Sequence, residues 1–299
     1  MVKKCLLLML SAFMLLGVDL SAIETKAAML PMKETAVTTP LDRQAKLDEK
    51  ISSYIGQESF TRNRDYIHII FKNHKAFYDN ETINAVAVVE TLEKNGLLKL
   101  FFDKPQQYEM TFHTTGEPLF FVKLMSDTLR DIGYYRYVTK ESSLNEEGFE
   151  WKISLEAEYV TDPTLLREKL QLRGCEISDI VRVSASDWHY SVDMSKAHLQ
   201  EDKLSSKKAL KYKRLQEPRW IDVSAVSALK MKSHRANSWY PYIAFYDKDL
   251  RLLKVFKQDK ETKTLALDLP ESTQYIRVTD LYTITNIRYG LEFIASSAK

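Results

Sequence analysis

The sequence predicts a mainly β chain with some α, arranged as two β-sandwich-like modules with a short α+β segment between them. Three observations carry this. Short runs of β-branched and aromatic residues recur between polar turns over residues 61–160, and again over 220–299. Residues 162–174 have the spacing of a capped amphipathic helix. A lysine-rich segment, 201–219, separates that helix and its following strands from the last group.

In chain order, Lys3 and Lys4 precede an uncharged apolar run, residues 5–18, which gives way to Asp19-Leu20-Ser21-Ala22. A positive start, an apolar middle and small residues at the end are the parts of a secretory signal peptide. We place its cut after Ala22, with Ala27 or Ala28 as alternatives. The run is shorter than the roughly 20 apolar residues that span a bilayer, and Cys5 opens it rather than following the cut, so neither a membrane anchor nor a lipid anchor is expected. The mature chain is expected to be periplasmic or secreted.

Residues 23–60 read as a polar leader or tether, in which Leu41, Ala45, Leu47, Ile51 and Ile55 suggest a short helix. In the 61–160 module, strands are expected at 66–71, 82–92, 97–102, 107–113, 119–125, 134–140 and 149–160. Asn95-Gly96 between apolar runs is the signature of a tight hairpin, whose central residues both need positive φ. Gly116-Glu117-Pro118 and residues 145–148 read as further turns. Residues 75–89, a Tyr-Asp-Asn-Glu-Thr turn feeding an apolar run, resemble the early strands of bacterial immunoglobulin-like domains, although the cysteine pair around a core Trp is absent. That resemblance implies an immunoglobulin-like sandwich.

In the α+β segment 161–200, Asp162 caps a helix, Pro163 suits its first turn, and Leu165, Leu166, Leu170 and Leu172 supply its buried side. Arg173-Gly174 ends it, and strands follow at 177–183 and 188–194. Residues 203–219 carry Lys203, Lys207, Lys208, Lys211, Lys213, Arg214 and Arg219 against Glu217 alone. A solvated connecting helix is the preferred reading. The alternative is contact with an acidic partner, or with anionic lipid headgroups through Lys207, Lys208 and Lys211. The 220–299 module is expected to hold strands at 220–229, 240–246, 252–256, 264–269, 275–281 and 289–294, in an outline that resembles carbohydrate-binding jelly-roll modules.

Composition narrows the function. The chain has 43 basic and 41 acidic residues. Cleavage removes Lys3, Lys4 and Asp19, leaving 41 against 40, too even for a general nucleic-acid binder. Cys175 is then the one thiol left, which excludes an internal disulfide. The eight glycines include no adjacent pair, so no phosphate-cradling glycine loop is present and no nucleotide cofactor is expected. His68, His74, His113, His189, His198 and His234 show no metal-ligand spacing. Ser205 and Lys208 match Ser-x-x-Lys in a polar setting that would not depress the lysine, and no Lys-Thr-Gly accompanies them.

Two aromatic clusters stand out as binding candidates. In Asp187-Trp188-His189-Tyr190, strand alternation puts Trp188 and Tyr190 on one side. They either stack on a sugar or fill the core, and the core is preferred. In Ser238-Trp239-Tyr240-Pro241-Tyr242, Pro241 marks a strand start or edge; Trp239, Tyr240 and Tyr242, with His234 and Arg235 just before, form the stronger candidate surface. The expected function is that of an exported, non-enzymatic binding or scaffold protein of the cell envelope. The alternatives are a carbohydrate- or peptidoglycan-binding module, or a hydrolase whose site assembles only in three dimensions.

Overall fold

A computed structural model of the chain describes residues 40–298. The expected signal peptide and its cut lie outside the described residues. From Gln44 onward the chain forms one compact unit, with 39% of the chain in strands and 27% in helices, so the fold is mainly β.

The first half is more helical than its sequence suggests. Helix α1 (Pro40–Ile55) buries Leu47, Ile51 and Tyr54 at steps of four and three, with Ile55 beside them. Each fully buried aliphatic side chain contributes roughly 1.5–3 kcal/mol. Short helices α2 (Gln57–Arg62) and α3 (Arg64–Ile70) follow. Residues 66–71 are therefore mostly helix rather than strand. Ile67 and Phe71, four apart, are buried, while Ile69 is 70% exposed. A two-residue hairpin, β1 (Tyr78–Asp79) and β2 (Thr82–Ile83), precedes α4 (Ala85–Lys94).

Helix α4 replaces the strand expected at 82–92 and the Asn-Gly hairpin. Ala85, Val86, Val88, Val89 and Leu92 are buried, a helical rather than alternating pattern, and Asn84 caps the helix by accepting from Ala87 N. Tertiary packing of that stripe overrides the β-preference of its valines. Gly96 (φ 70°) closes the helix: its N–H donates to Glu93 O at 2.9 Å, and Leu97 N to Leu92 O at 2.9 Å. Positive φ at Gly96 serves a helix C-cap here. Asn95 keeps φ −98°, which the hairpin turn would not allow.

Strand β3 (Phe101–Thr114) leads to α5 (Pro118–Asp131), where 119–125 read as a strand. Pro118 opens the helix rather than a turn, and Phe120, Phe121, Leu124, Met125, Thr128 and Leu129 form its buried stripe. Then come β4 (Val138–Asn145), β5 (Gly148–Tyr159), α6 (Pro163–Gln171), β6 (Glu176–Arg182) and β7 (Asp187–Asp193). Helix α6 forms where expected, with Asp162 accepting from Thr164 N at 2.8 Å and Leu165 N at 3.3 Å. Of the four leucines expected on its buried side, however, Leu166 and Leu170 are buried while Leu165 and Leu172 are exposed. The strands form one sheet in the order β4-β5-β3-β7-β6, antiparallel except for the β3–β7 pair. Residues 75–89, which resemble early immunoglobulin-like strands, thus hold the short β1–β2 hairpin and the first turn of α4. One sheet face, with Tyr108, Met110, Phe112, Trp151, Ile153, Trp188 and Tyr190, shares a buried core with the helices. The other carries Glu109, Lys152, Asp187 and His189. The β6 edge is covered: Lys50 and Tyr54 of α1 donate to Ile180 O at 2.8 and 2.7 Å.

The second half contains β8 (Leu210–Tyr212), β9 (Arg219–Asp222), β10 (Val226–Ser233), β11 (Pro241–Tyr246), β12 (Leu252–Lys257), β13 (Thr264–Asp268), β14 (Tyr275–Asp280) and β15 (Leu291–Ala298). Its strands follow the expectation closely, except that 220–229 splits into β9 and β10. They pair antiparallel as two four-stranded sheets, β13-β10-β15-β8 and β12-β11-β14-β9, and one buried cluster draws on both. The basic segment 201–219 is no helix. Leu204, Leu210 and Leu215 are buried in that cluster, and β8 pairs with β15. The two halves meet where Trp220, Tyr246 and Tyr275 pack on the first core; Leu199 N donates to Tyr275 Oη at 3.1 Å.

Candidate functional site

Three of the proposed binding aromatics are core residues. Trp188 and Tyr190 are fully buried: Tyr190 bonds Tyr108 hydroxyl to hydroxyl at 3.2 Å, and Trp188 stacks with Tyr54 at 6.3 Å. Trp239 is also fully buried, its Nε1–H donating to Thr279 O at 3.0 Å. An indole with no exposed face cannot stack on a sugar, so the aromatic platform loses its centre. Tyr240 is half-buried and meets Tyr282 edge to face at 5.2 Å. Tyr242 is half-buried on β11, on the opposite face from Ile243. Arg235 is exposed, and its carbonyl accepts from Lys263 at 3.2 Å. Ser205 and Lys208 face each other across a tight turn.

His234 lies elsewhere, in a cleft of about 480 Å³ with residues of the basic segment. The sheet β13-β10-β15-β8 builds this cleft. Alternation along β8 turns Leu210 inward and leaves Lys211 exposed. Register then sets Lys211 opposite Glu292 of β15, and Glu292 opposite Lys232 of β10. The result is a Lys–Glu–Lys row across three strands, with Lys232 Nζ 3.9 Å from Glu292. Lys213 continues the basic rim and His234 stands at the end of β10, so three lysines face one carboxylate.

The cleft is held firmly. Gly290 (φ 102°) sits where β8 crosses β15, and a Cβ there would lie 1.8 Å from Tyr212 O. Buried Asn237 donates to Gly290 O at 2.8 Å and to Ser233 Oγ at 3.0 Å, and accepts from Tyr289 N at 3.1 Å. Ala236 N donates to His234 Nδ1 at 3.2 Å, so neutral His234 carries its proton on Nε2, where it can donate to a ligand. The His234 ring lies 5.8 Å from Tyr289, whose ring also takes the Arg288 guanidinium at 4.7 Å.

Behind the cleft, Tyr212 donates to Asp202 at 2.7 Å; Arg219 donates to the same carboxylate at 2.8 Å and lies 4.5 Å over the Tyr212 ring. The Tyr212 hydrogen bond, foremost, holds Asp202 below the usual carboxylate range. Burial, then the bond to Asp202, pushes the Tyr212 hydroxyl up to about 12. Tyr212 therefore stays neutral and adds no negative charge.

This arrangement suits anion binding. A unit charge 4 Å from a lysine gains about 1 kcal/mol in bulk water and about 4 kcal/mol at a partly screened surface. Several lysines in a concavity add and focus their fields. Sequence reading found Lys211, Lys213 and His234 as unrelated features and missed Lys232, Tyr289 and Glu292. The alternation Lys230-Met231-Lys232, which puts both lysines on an outward strand face, was the available signal for Lys232. Among the described residues, no group of three His, Cys, Asp or Glu could hold a metal, and no helix is long and apolar enough to cross a membrane. The chain matches no protein-family model, no curated protein and no solved structure.

Proposed function

We propose that this chain is an exported, non-enzymatic binding protein of the cell envelope whose C-terminal half takes an anionic ligand. The observation that carries the ligand class is the convergence of Lys211, Lys213, Lys232 and His234 around one cleft against Glu292 alone. Export rests on the charged start, apolar run and small residues of positions 1–22. We read the two C-terminal sheets as layers of a sandwich, because Ile243, Phe245, Ile276 and Val278 share one buried cluster with Leu229, Met231, Leu291 and Phe293. The cleft opens on the outer face of one layer.

Tripolyphosphate is a suitable probe, carrying several charges in a small volume. Isothermal titration calorimetry should detect binding to the full chain. Lys211→Gln with Lys232→Gln should weaken it about tenfold, or about 1.4 kcal/mol, since the double change also leaves Glu292 unopposed. A Lys248→Gln control, on an exposed turn elsewhere, should bind as the parent does. Equal affinity in parent and double variant would refute the site.

A further inference from the structure

We infer that the cleft is one end of a longer trough that holds a linear polyanion, an inference that rests on the anion-binding reading above. Three cavities follow one another through shared lining residues along the segment 211–219. The cleft shares Tyr212 with a second cavity of about 480 Å³, which also holds Arg214. The second shares Glu217 and Arg219 with a third, of about 300 Å³, where the two halves of the chain meet. Residues 212 to 219 can span at most about 25 Å when fully extended, room for several repeats of a charged chain but far more than one small ion needs.

The charges along this path divide into two sets. Lys123 is committed to Asp127 and lies 3.8 Å from Glu201, and Arg219 is committed to Asp202. Besides Glu292 in the first cavity, the carboxylates on the path are Glu217, in the second and third, and Glu201 in the third, which shares Lys123 with Asp127. Among the described residues, Lys211 and Lys213 in the first cavity, Arg214 in the second, and Arg130 and Arg277 in the third have no ion-pair partner. Each cavity thus presents at least one cationic side chain that no carboxylate neutralises by direct contact, a repeated pattern that fits a ligand with repeated negative charge.

The aromatic residues along the path are already engaged. Arg219 covers Tyr212, and Phe293 meets it edge to face at 5.8 Å. Trp220 packs against Tyr246 at 4.9 Å and under Lys123 at 5.8 Å. Tyr289, exposed in the cleft with Arg288 over its ring, is a single platform, so no series of rings is offered on which successive bases could stack. The occupant is therefore a non-nucleic linear polyanion, with phosphate or carboxylate repeats. A concave path also accepts a chain better than it accepts the plane of a membrane.

The test titrates the full chain with tripolyphosphate, with longer linear polyphosphate, and with oligogalacturonate of similar length. Affinity per charged group should rise at least tenfold from tripolyphosphate to one of the long chains, and the polymer showing the rise identifies the repeat chemistry. Arg130→Gln with Arg214→Gln, both exposed positions, should remove most of that gain while leaving tripolyphosphate binding unchanged. Arg277→Gln is a second, independent variant at the same end and should act alike. If tripolyphosphate binds at Lys211 and Lys232 but length brings no gain, the trough is refuted and the cleft stands. If tripolyphosphate does not bind, both readings fall. Tighter binding to phosphatidylglycerol vesicles, or to a single-stranded oligonucleotide of equal length, than to either polymer would also overturn the proposal.

Discussion

Replacing Trp239 by Phe separates a core role from a surface role, because the two roles move different observables. The indole is fully buried in the C-terminal cluster, and its Nε1–H donates to Thr279 O at 3.0 Å. Trp239→Phe removes roughly 40 Å³ of side chain, and at about 24 cal/mol per Å³ of residual cavity that costs about 1 kcal/mol. Losing the hydrogen bond costs about another 1 kcal/mol, more if the Thr279 carbonyl finds no new donor. The sum, about 2 kcal/mol, should lower the midpoint of thermal unfolding by about 4–8 °C for a domain of this size class. Urea unfolding followed by far-UV circular dichroism measures the same loss without relying on tryptophan fluorescence. Tripolyphosphate affinity should stay within a factor of two, since Trp239 does not line the cleft. A stability change below about 0.5 kcal/mol, the range of ordinary surface substitutions, would refute the burial argument and restore Trp239 as a surface residue.

Two further substitutions or probes test other parts of the structure. Gly290→Ala should destabilise the chain by more than about 2 kcal/mol, because alanine pays for positive φ and its Cβ would meet the Tyr212 carbonyl at 1.8 Å; unchanged stability together with unchanged anion binding would contradict the close crossing of β8 and β15. Cys175 is buried, and desolvation foremost, with Asp193 adding, pushes its thiol up to about 12. An aromatic disulfide reagent at pH 8 should therefore leave it unmodified in the native chain and react fully in denaturant; rapid native labelling would contradict its placement.

The C-terminal half was legible because its strands alternate. Ile243 and Phe245 face the C-terminal cluster while Tyr242 does not and Tyr246 packs on the first core instead, and the β12, β13 and β14 segments show enough of the same period to be placed nearly to the residue. The first half was harder because its helices carry strand-like residues. Val86, Val88 and Val89 favour strands in isolation, and only the positions of Ala85 and Leu92 expose a helical stripe. Asn95-Gly96 illustrates a second ambiguity: a glycine at positive φ closes a hairpin or a helix, and local sequence does not choose between them. Strand β8 was hidden by charge. Leu210 and Tyr212 alternate with Lys211 and Lys213, a two-residue period within a run read as a solvated helix. The cleft itself depends on pairing β8 with β15 and β15 with β10, contacts between segments some eighty and sixty residues apart, which no local pattern reveals.

If the C-terminal cleft binds anions through its lysines, that binding must depend on salt. Tripolyphosphate affinity for the unmodified chain should fall steeply as sodium chloride rises from about 50 to about 200 mM, because the screening length for exposed charges then shrinks from about 14 to about 7 Å. The Lys211→Gln, Lys232→Gln variant should show both weaker binding and a shallower slope. Affinity that ignores salt, or a slope identical in parent and variant, would contradict anion binding by these lysines.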